Sequence, residues 1–285
     1  MHENAYMALP GVNNFTHWLS QRISGQPIAF PNYGGGAAYP TLSDAFAAYS
    51  WPVGNPLATP HGPHGMRPPH YGPYPHPHSY GANQNALATI QAQLRARFNA
   101  TLPGQNDAQL SGAVAAVLHW GGVYTPRGNQ RWLGSEHRNL TLRETLGAVR
   151  ADYIGRNDDD SAVAGLRFNS GLTKVYSLLL DDFIIYDSRV AASLAWLIRS
   201  WSGHAPVPNH LAFGTLPARV PTAYRNPDPA VFWPIRGPNA AKQHWKWNMR
   251  ANWLLKHALR GAAAPFAGSL REVEASLFQM GYRVH

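Results

Sequence analysis

Residues 169–190 read NSGLTKVYSLLLDDFIIYDSRV, and this stretch decides how the chain folds. The Asn-Ser-Gly turn at its start predicts an apolar helix that carries Lys174 in its first turn. A β-branched and aromatic run from Phe183 to Tyr186 then leads to Asp187, which we expect to cap a second helix. A lysine and an aspartate that each begin a helix suggest an amine nucleophile with a carboxylate partner.

The composition limits the class of protein. The chain has 285 residues and 45% hydrophobic content, which is sufficient for one large domain or two small ones. It contains no run of about eighteen apolar residues, and its first residues lack the basic and apolar regions of a secretion signal. Cysteine is absent, which excludes disulfides and iron–sulfur clusters held by cysteine. We therefore expect a cytoplasmic protein that does not enter a membrane.

The positive charge is confined to the later part of the chain. Residues 1–86 contain two basic side chains (Arg22, Arg67) and two acidic ones (Glu3, Asp44), so the rest carries the whole net charge of +9. A basic region behind a neutral leader indicates a polyanionic partner, with nucleic acid as the first choice. An ordinary surface charge that only keeps the protein soluble is the alternative.

The leader, residues 1–86, is predicted to be a largely irregular extension rich in proline, glycine and histidine. Two short segments, 15–23 and 42–49, are expected to form helices that dock on the main body. Five histidines of the leader are residue types that bind divalent metals: His61, His64, His70, His76 and His78. A proline-rich linker gives them no fixed geometry, so we expect no metal site.

From residue 87 onward the apolar spacing is helical, and strand signals are nearly absent outside residues 183–186. Capping boxes at Thr141 and Ser269 predict two helix starts. The predicted helices cover residues 87–98, 107–118, 141–153, 161–168, 187–201 and 240–259, together with a helix that follows the turn at 169–171 and a final helix that begins at Ser269 and ends at Gly281. The fold class is therefore all-α, with residues 87–285 as one helical domain.

Two regions of this domain have features that suit a DNA backbone. Residues 123–138 are predicted to form a loop in which Arg127 and Arg131 surround an exposed Trp132, and basic residues beside an aromatic suit nucleic acid. The turn before Lys174 is expected to leave three N–H groups unpaired at a helix N-terminus, where a phosphate binds well; they belong to Gly171, Leu172 and Thr173.

Lys174 and Asp187 each allow two interpretations. The helix dipole disfavours a cation at Lys174 and would favour its free amine, but an exposed lysine that reaches solvent fits the same position. Asp187 is fully explained as an N-cap, and a cap carboxylate can also face a cleft. Arg189 projects from the same helix end and is expected to contact a phosphate.

Gly171-Leu-Thr-Lys-Val175, followed by Ile184-Ile-Tyr-Asp-Ser-Arg189, resembles the helix-hairpin-helix DNA glycosylases, in particular the 8-oxoguanine DNA glycosylase branch. That branch has a Gly-x-Gly-Thr-Lys-Val hairpin and an apolar connector of the form Val-Pro-Val-Asp-Val-His. The resemblance implies Lys174 as the nucleophile, Asp187 as the catalytic aspartate and Arg189 in place of a phosphate-contacting histidine.

Other parts of the chain agree with the family, and some positions within the motifs differ from it. The last helix, residues 271–282, is similar to the ending of bacterial proteins with this fold, and the helical order over residues 87–285 is compatible. Leu172 replaces the second hairpin glycine, and Tyr186 stands where the family has proline. Thirteen positions separate Lys174 from Asp187, which is fewer than in the better-known members.

The resemblance implies a DNA glycosylase that forms a lysine Schiff base and also cleaves abasic sites, with an 8-oxoguanine-like base favoured and no cofactor. A flipped base needs aromatic stacking partners, and four side chains are candidates that could instead belong to the core: Trp120, Trp245, Trp247 and Phe278. Two alternatives keep DNA as the partner. One is a glycosylase that defends against phage DNA carrying modified bases, and the other is a non-catalytic DNA-binding protein of the same fold.

Overall fold

The computed structural model describes residues 1–33, 37–51, 79–104, 108–125, 128–155, 157–158, 167–203, 205–218 and 225–284. Within these ranges the chain forms eleven α-helices and no sheet, so the all-α class is confirmed. The helices are α1 (Glu3–Met7), α2 (Val12–Ile23), α3 (Leu42–Ala47), α4 (Tyr80–Ala100), α5 (Ala108–Trp120), α6 (Asn129–Asn139), α7 (Leu142–Ile154), α8 (Leu172–Leu179), α9 (Ser188–Ser202), α10 (Ala240–Arg260) and α11 (Leu270–Met280). No helix of the described residues is both long and apolar enough to span a bilayer.

The first helices belong to the core, which corrects the expectation of a largely irregular leader over residues 1–86. The helices predicted at 15–23 and 42–49 correspond to α2 and α3, and these pack against α10 and α11. Phe15, Leu19 and Ile23 are fully buried because their spacing places them on one face of α2. The expected boundary after residue 86 falls inside α4. The histidine-rich residues 60–78 lie outside the described residues.

The region around α6 also differs from the expectation. Residues 123–138 were expected to form a loop, but α6 occupies most of them and buries Trp132, which is 8% exposed. The physical reason is a short apolar face of Trp132 and Leu133 that the surrounding polar residues mask in the sequence. Arg127 lies outside the described residues, and so do residues 161–166 of the helix predicted at 161–168; its last two residues, 167–168, are described and are not helical.

The two predicted capping boxes have different outcomes. At the start of α11 the Glu272 carboxylate accepts the Ser269 N–H at 2.9 Å, as a capping box requires. At the start of α7 the Thr141 hydroxyl instead donates to the Glu136 carboxylate at 2.8 Å and caps nothing. Both helices still begin where the sequence predicts.

The connector of residues 183–186 is extended and buried, and no strand pairs with it. Its backbone groups bond instead to side chains of α10 and α11: Ile184 N–H to Asn252 Oδ1 at 2.7 Å, Ile185 N–H to Glu274 Oε2 at 2.9 Å, and Tyr186 carbonyl to His244 Nε2 at 2.7 Å. Helix side chains thus replace a neighbouring strand, because buried backbone groups need partners. The connector fixes where Asp187 begins α9.

Substitution of Asn252 by alanine tests this clamp. The buried Ile184 N–H would lose its acceptor, and an unpaired buried donor costs about 1–3 kcal/mol of the free energy of unfolding. Urea unfolding of the Asn252→Ala protein should show that loss. The same substitution at the exposed Asn139 of α6 is the control and should change stability far less. Equal stability of the two variants would mean that the connector does not depend on this side chain.

Candidate active site

Lys174 and Asp187 form a buried ion pair. Lys174 is the third residue of α8, Asp187 is the N-cap of α9, and the Lys174 Nζ lies 3.5 Å from the Asp187 Oδ2. The two side chains are 4% and 13% exposed, so the alternative of a lysine that reaches solvent is excluded. The amine also donates to the Ser170 carbonyl at 3.3 Å. An amine and a carboxylate are therefore held together away from bulk water.

Gly121 fixes the path of the Lys174 side chain. It follows the last residue of α5, and a Cβ built on it would lie 2.3 Å from the Lys174 Cδ. Real Cβ atoms essentially never approach another atom under 3.0 Å, so any side chain here would displace the lysine stem. The sequence marks Gly121 only as part of a helix end. Its role in placing Lys174 is visible only in the packing.

The environment of Asp187 keeps its carboxylate ionised. The Asp187 Oδ1 accepts the N–H groups of Arg189 at 2.9 Å and Val190 at 3.2 Å, so it does cap α9. Burial by itself would raise the pKa of Asp187, but Lys174 and these N–H groups outweigh it and lower the pKa below its ordinary value. At neutral pH the site therefore contains a fixed negative charge beside the amine.

The turn before α8 has no free N–H groups, which corrects the expectation for a phosphate site there. The Asn169 Oδ1 accepts from Gly171 at 2.8 Å and Leu172 at 3.0 Å, and the Asn169 carbonyl accepts from Thr173 at 3.0 Å. The asparagine side chain satisfies the helix start itself, a bond type that short polar side chains favour. Gly171 is needed because a Cβ there would lie 2.1 Å from the Asn129 Nδ2 of α6.

Two guanidinium groups flank Asp187. The Arg189 guanidinium carbon lies 4.2 Å from the ring centre of Phe278 and 4.8 Å from that of Tyr282. Arg225 donates a hydrogen bond to the Ser188 hydroxyl, and Asp187 attracts both cations. Burial lowers the pKa of both arginines, which nevertheless remain charged. Arg225 could not be singled out from the sequence, because the proline-rich stretch around it has no periodicity.

Asp187 also lines a narrow cavity of about 20 Å³. Trp120 and Phe278, both expected as base-stacking candidates, form part of its wall. Trp51 lies between them: its ring centre is 4.6 Å from Trp120 at an interplanar angle of 4°, and 4.9 Å from Phe278 at 34°. Polar and aromatic side chains complete the wall, among them Tyr49, Tyr80, Asn83 and Glu274. Trp51 is a site residue that the sequence did not indicate.

The other predicted site residues lie apart from this cavity. Trp245 is fully buried and packs against Phe168 and Phe183, so it is a core residue. Trp247 lines a different cavity of about 480 Å³, which the exposed Trp233 also lines. Neither ring is part of the wall that includes Asp187, so the structure does not bring these two tryptophans together with the Lys174–Asp187 pair. Arg131 is exposed on α6, two residues after Asn129.

His244 donates a hydrogen bond to the connector beside Asp187, and its burial should make the stability of the fold depend on pH. Burial lowers the pKa of His244 from 6.5 to about 4, so the unfolded chain binds a proton that the folded chain excludes. Its contribution is present above pH 6.5 and is lost as the pH falls toward 4, and it amounts to roughly 3 kcal/mol. Urea unfolding at pH 7 and pH 4.5 should show that the free energy of unfolding decreases less between these pH values for His244→Gln than for the original protein. An identical decrease would contradict this account.

No family model matches the chain, and neither a curated protein nor a solved structure matches it.

Proposed function

We propose that the protein is a DNA glycosylase that excises a damaged or modified base through a Schiff base on Lys174 and then cleaves the abasic strand. The observation that carries the proposal is the buried Lys174–Asp187 pair, with 3.5 Å between amine and carboxylate, beside a cavity with aromatic walls. The resemblance of Gly171-Leu-Thr-Lys174 and Tyr186-Asp-Ser-Arg189 to the helix-hairpin-helix glycosylases, in particular the 8-oxoguanine branch, supports the same proposal.

Energetics also favour a functional role for this pair. Removing two charges from water costs more than a buried ion pair commonly returns, so such pairs are weak stabilising elements. Asp187 already has a structural task, because it accepts two N–H groups of α9. Lys174 adds little to that task. Titratable groups held together at a cavity are typical of catalytic sites, where the environment sets their protonation.

Each proposed role follows from the position of a group. The target base leaves the helix stack and enters the cavity. The unprotonated Lys174 amine attacks the sugar C1′, the bond to the base breaks, and the base departs with the bonding electrons. Asp187 stabilises the positive charge on the sugar and helps the amine to lose its proton. The sugar ring then opens, because the C1′–O4′ bond breaks and O4′ takes up a proton, and this gives the Schiff base. Loss of a C2′ proton from the Schiff base permits β-elimination, which breaks the C3′–O bond and releases the 3′ phosphate.

Binding of the DNA backbone is assigned to two arginines beside Asp187 and to one on α6. Arg189 and Arg225 flank Asp187, and Arg131 is exposed on α6. These groups belong to the part of the chain that carries the net charge of +9. Phosphate contacts of this kind make affinity fall steeply with salt, because binding releases counterions.

A second candidate function is a DNA-binding protein without catalysis. Two observations favour it: the N–H groups before α8 are already paired, and the cavity of about 20 Å³ is too small for a base as it stands. This candidate predicts salt-dependent binding of duplex DNA without an abasic product.

Reductive trapping distinguishes the two functions. The protein is incubated with duplexes that contain an abasic site, 8-oxoguanine, uracil, an alkylated purine or a hypermodified phage base, and borohydride is added. A glycosylase with a lysine Schiff base should form a covalent complex with the abasic duplex and with at least one base lesion. An unmodified duplex is the control. Binding that decreases with salt, together with no covalent complex on any duplex, would support the non-catalytic function instead.

A further inference from the structure

Trp51 fills the space between the aromatic walls of the cavity that Asp187 lines. Its indole stacks on Trp120 at 4.6 Å with nearly parallel planes, and its other neighbour is Phe278 at 4.9 Å. Trp51 is only 7% exposed. This is the arrangement that aromatic side chains make with a nucleobase, in which flat rings lie face to face.

The space that the indole leaves is too small for a base. The remaining cavity measures about 20 Å³, which is room for about one water molecule. Asp187 and Ile185 line the same cavity as Trp51, Trp120 and Phe278, so the aromatic side chains lie close to the carboxylate of the ion pair. A base that stacks on Trp120 and Phe278 must therefore take the place of the Trp51 indole.

The size of the indole indicates which bases fit. Indole and purine both consist of a six-membered ring fused to a five-membered ring, so they cover similar areas of an aromatic wall. A pyrimidine has a single ring and would cover less of Trp120 and Phe278. The slot that accommodates Trp51 therefore has the dimensions of a purine.

Two hydrogen bonds between described residues at this position are long. The Trp51 indole N–H donates to the Trp120 carbonyl at 3.3 Å, and the N–H of the preceding Ser50 donates to the Gln279 side chain, also at 3.3 Å. Both distances lie beyond the range of typical strong N–H bonds. A competing ring would have to replace the indole bond and the contacts with Trp120 and Phe278.

We propose that Trp51 occupies the base-stacking site, and that a flipped purine-type base displaces it and stacks between Trp120 and Phe278. The inference rests on the proposed function and extends it in two ways, because it names the substrate class and an internal competitor. Trp51 lowers the apparent affinity for the base by the fraction of time that its indole fills the slot.

Nucleoside binding to the full chain tests this inference without any bond cleavage. Titration calorimetry measures guanosine, 8-oxoguanosine and cytidine against the original protein and against Trp51→Ala. If the indole fills the slot most of the time, Trp51→Ala should bind the two purine nucleosides about tenfold or more tightly. The gain for cytidine should be clearly smaller. Trp18→Ala, at a half-buried tryptophan of α2, is the control and should leave all three affinities unchanged.

Two further variants make the test robust. Trp51→Phe keeps an aromatic ring in the slot and should give an intermediate gain even if the alanine variant folds poorly. Trp120→Ala removes the wall and should weaken purine binding in any background. Weaker purine binding by both Trp51 variants would show that Trp51 is itself a wall of the base site. Unchanged purine binding, or an equal gain for cytidine, would also overturn the inference.

Failure of this inference is distinguishable from failure of the proposed function. If borohydride traps the protein on DNA but substitution of Trp51 does not change the purine affinity, the proposed function stands and the displacement of Trp51 is rejected. If the protein is never trapped but binds purine nucleosides more tightly after Trp51 is replaced, the purine site stands and the glycosylase activity is rejected.

Discussion

Replacement of Lys174 by glutamine is expected to abolish the covalent complex with DNA and to reduce base release at least about a thousandfold. The reason is chemical, because an amide cannot form a Schiff base with the sugar. DNA affinity should change little, since the arginines that flank Asp187 are untouched. Borohydride trapping measures the covalent step, and gel-shift titration at two salt concentrations measures binding.

Lys256→Gln is the matched control. Lys256 is also partly buried and also pairs with an aspartate, since its Nζ lies 3.4 Å from the Asp182 carboxylate, but it does not line the cavity that includes Asp187. This variant should be trapped as well as the original protein. Full trapping of the Lys174→Gln protein, with its fold verified by circular dichroism, would show that another amine is the nucleophile.

The second large effect is expected from Gly121→Ala. The added Cβ would lie 2.3 Å from the Lys174 Cδ, and the flexible lysine stem is the atom group that must move. Displacement of a reacting group by about 1 Å costs on the order of a hundredfold in rate. Single-turnover trapping kinetics should show this loss, while the melting temperature should decrease only slightly.

Gly122→Ala separates this effect from a general effect on the turn. Gly122 has a φ of +64°, and nothing lies within 4 Å of the position of its Cβ. Alanine there is strained by about 1 kcal/mol or more, but it cannot touch Lys174. It should therefore lose stability and keep its trapping rate. The opposite pattern, with Gly121→Ala active and Gly122→Ala inactive, would contradict the packing argument.

The helices after residue 87 could be predicted because their signals are local. Apolar spacing and the N-cap at Asp187 place α5, α9, α10 and α11 within a few residues of their observed bounds, whereas α4 begins at Tyr80, before the predicted start at residue 87. The environment of the connector 183–186 could not be predicted. Its residues carry a strand signal, but their partners are side chains of Asn252, Glu274 and His244 from distant helices. Hydrogen bonds between a backbone and distant side chains produce no repeating sequence pattern in either segment.

The site shows the same division. Lys174 and Asp187 could be proposed as partners because each opens a helix and both belong to a short recognisable motif. Gly121, Arg225 and Trp51 join them only through contacts between segments that are far apart in sequence. The aromatic candidates illustrate the limit. From residue type alone, Trp245 and Trp120 are equally good candidates for stacking on a base. Only the structure shows that Trp245 packs in the core and that Trp120 lines the cavity.

The packing of α2 on α10 and of α3 on α11 has a consequence for synthesis on the ribosome. The partners of the first helices are made more than two hundred residues later, from Ala240 onward. At roughly 5–20 residues per second the nascent chain keeps the apolar face of α2 uncovered for on the order of ten seconds or more. Contacts of such long range also make folding slow. The protein should therefore depend on chaperones during translation, and its yield should rise when elongation of the last third is not delayed.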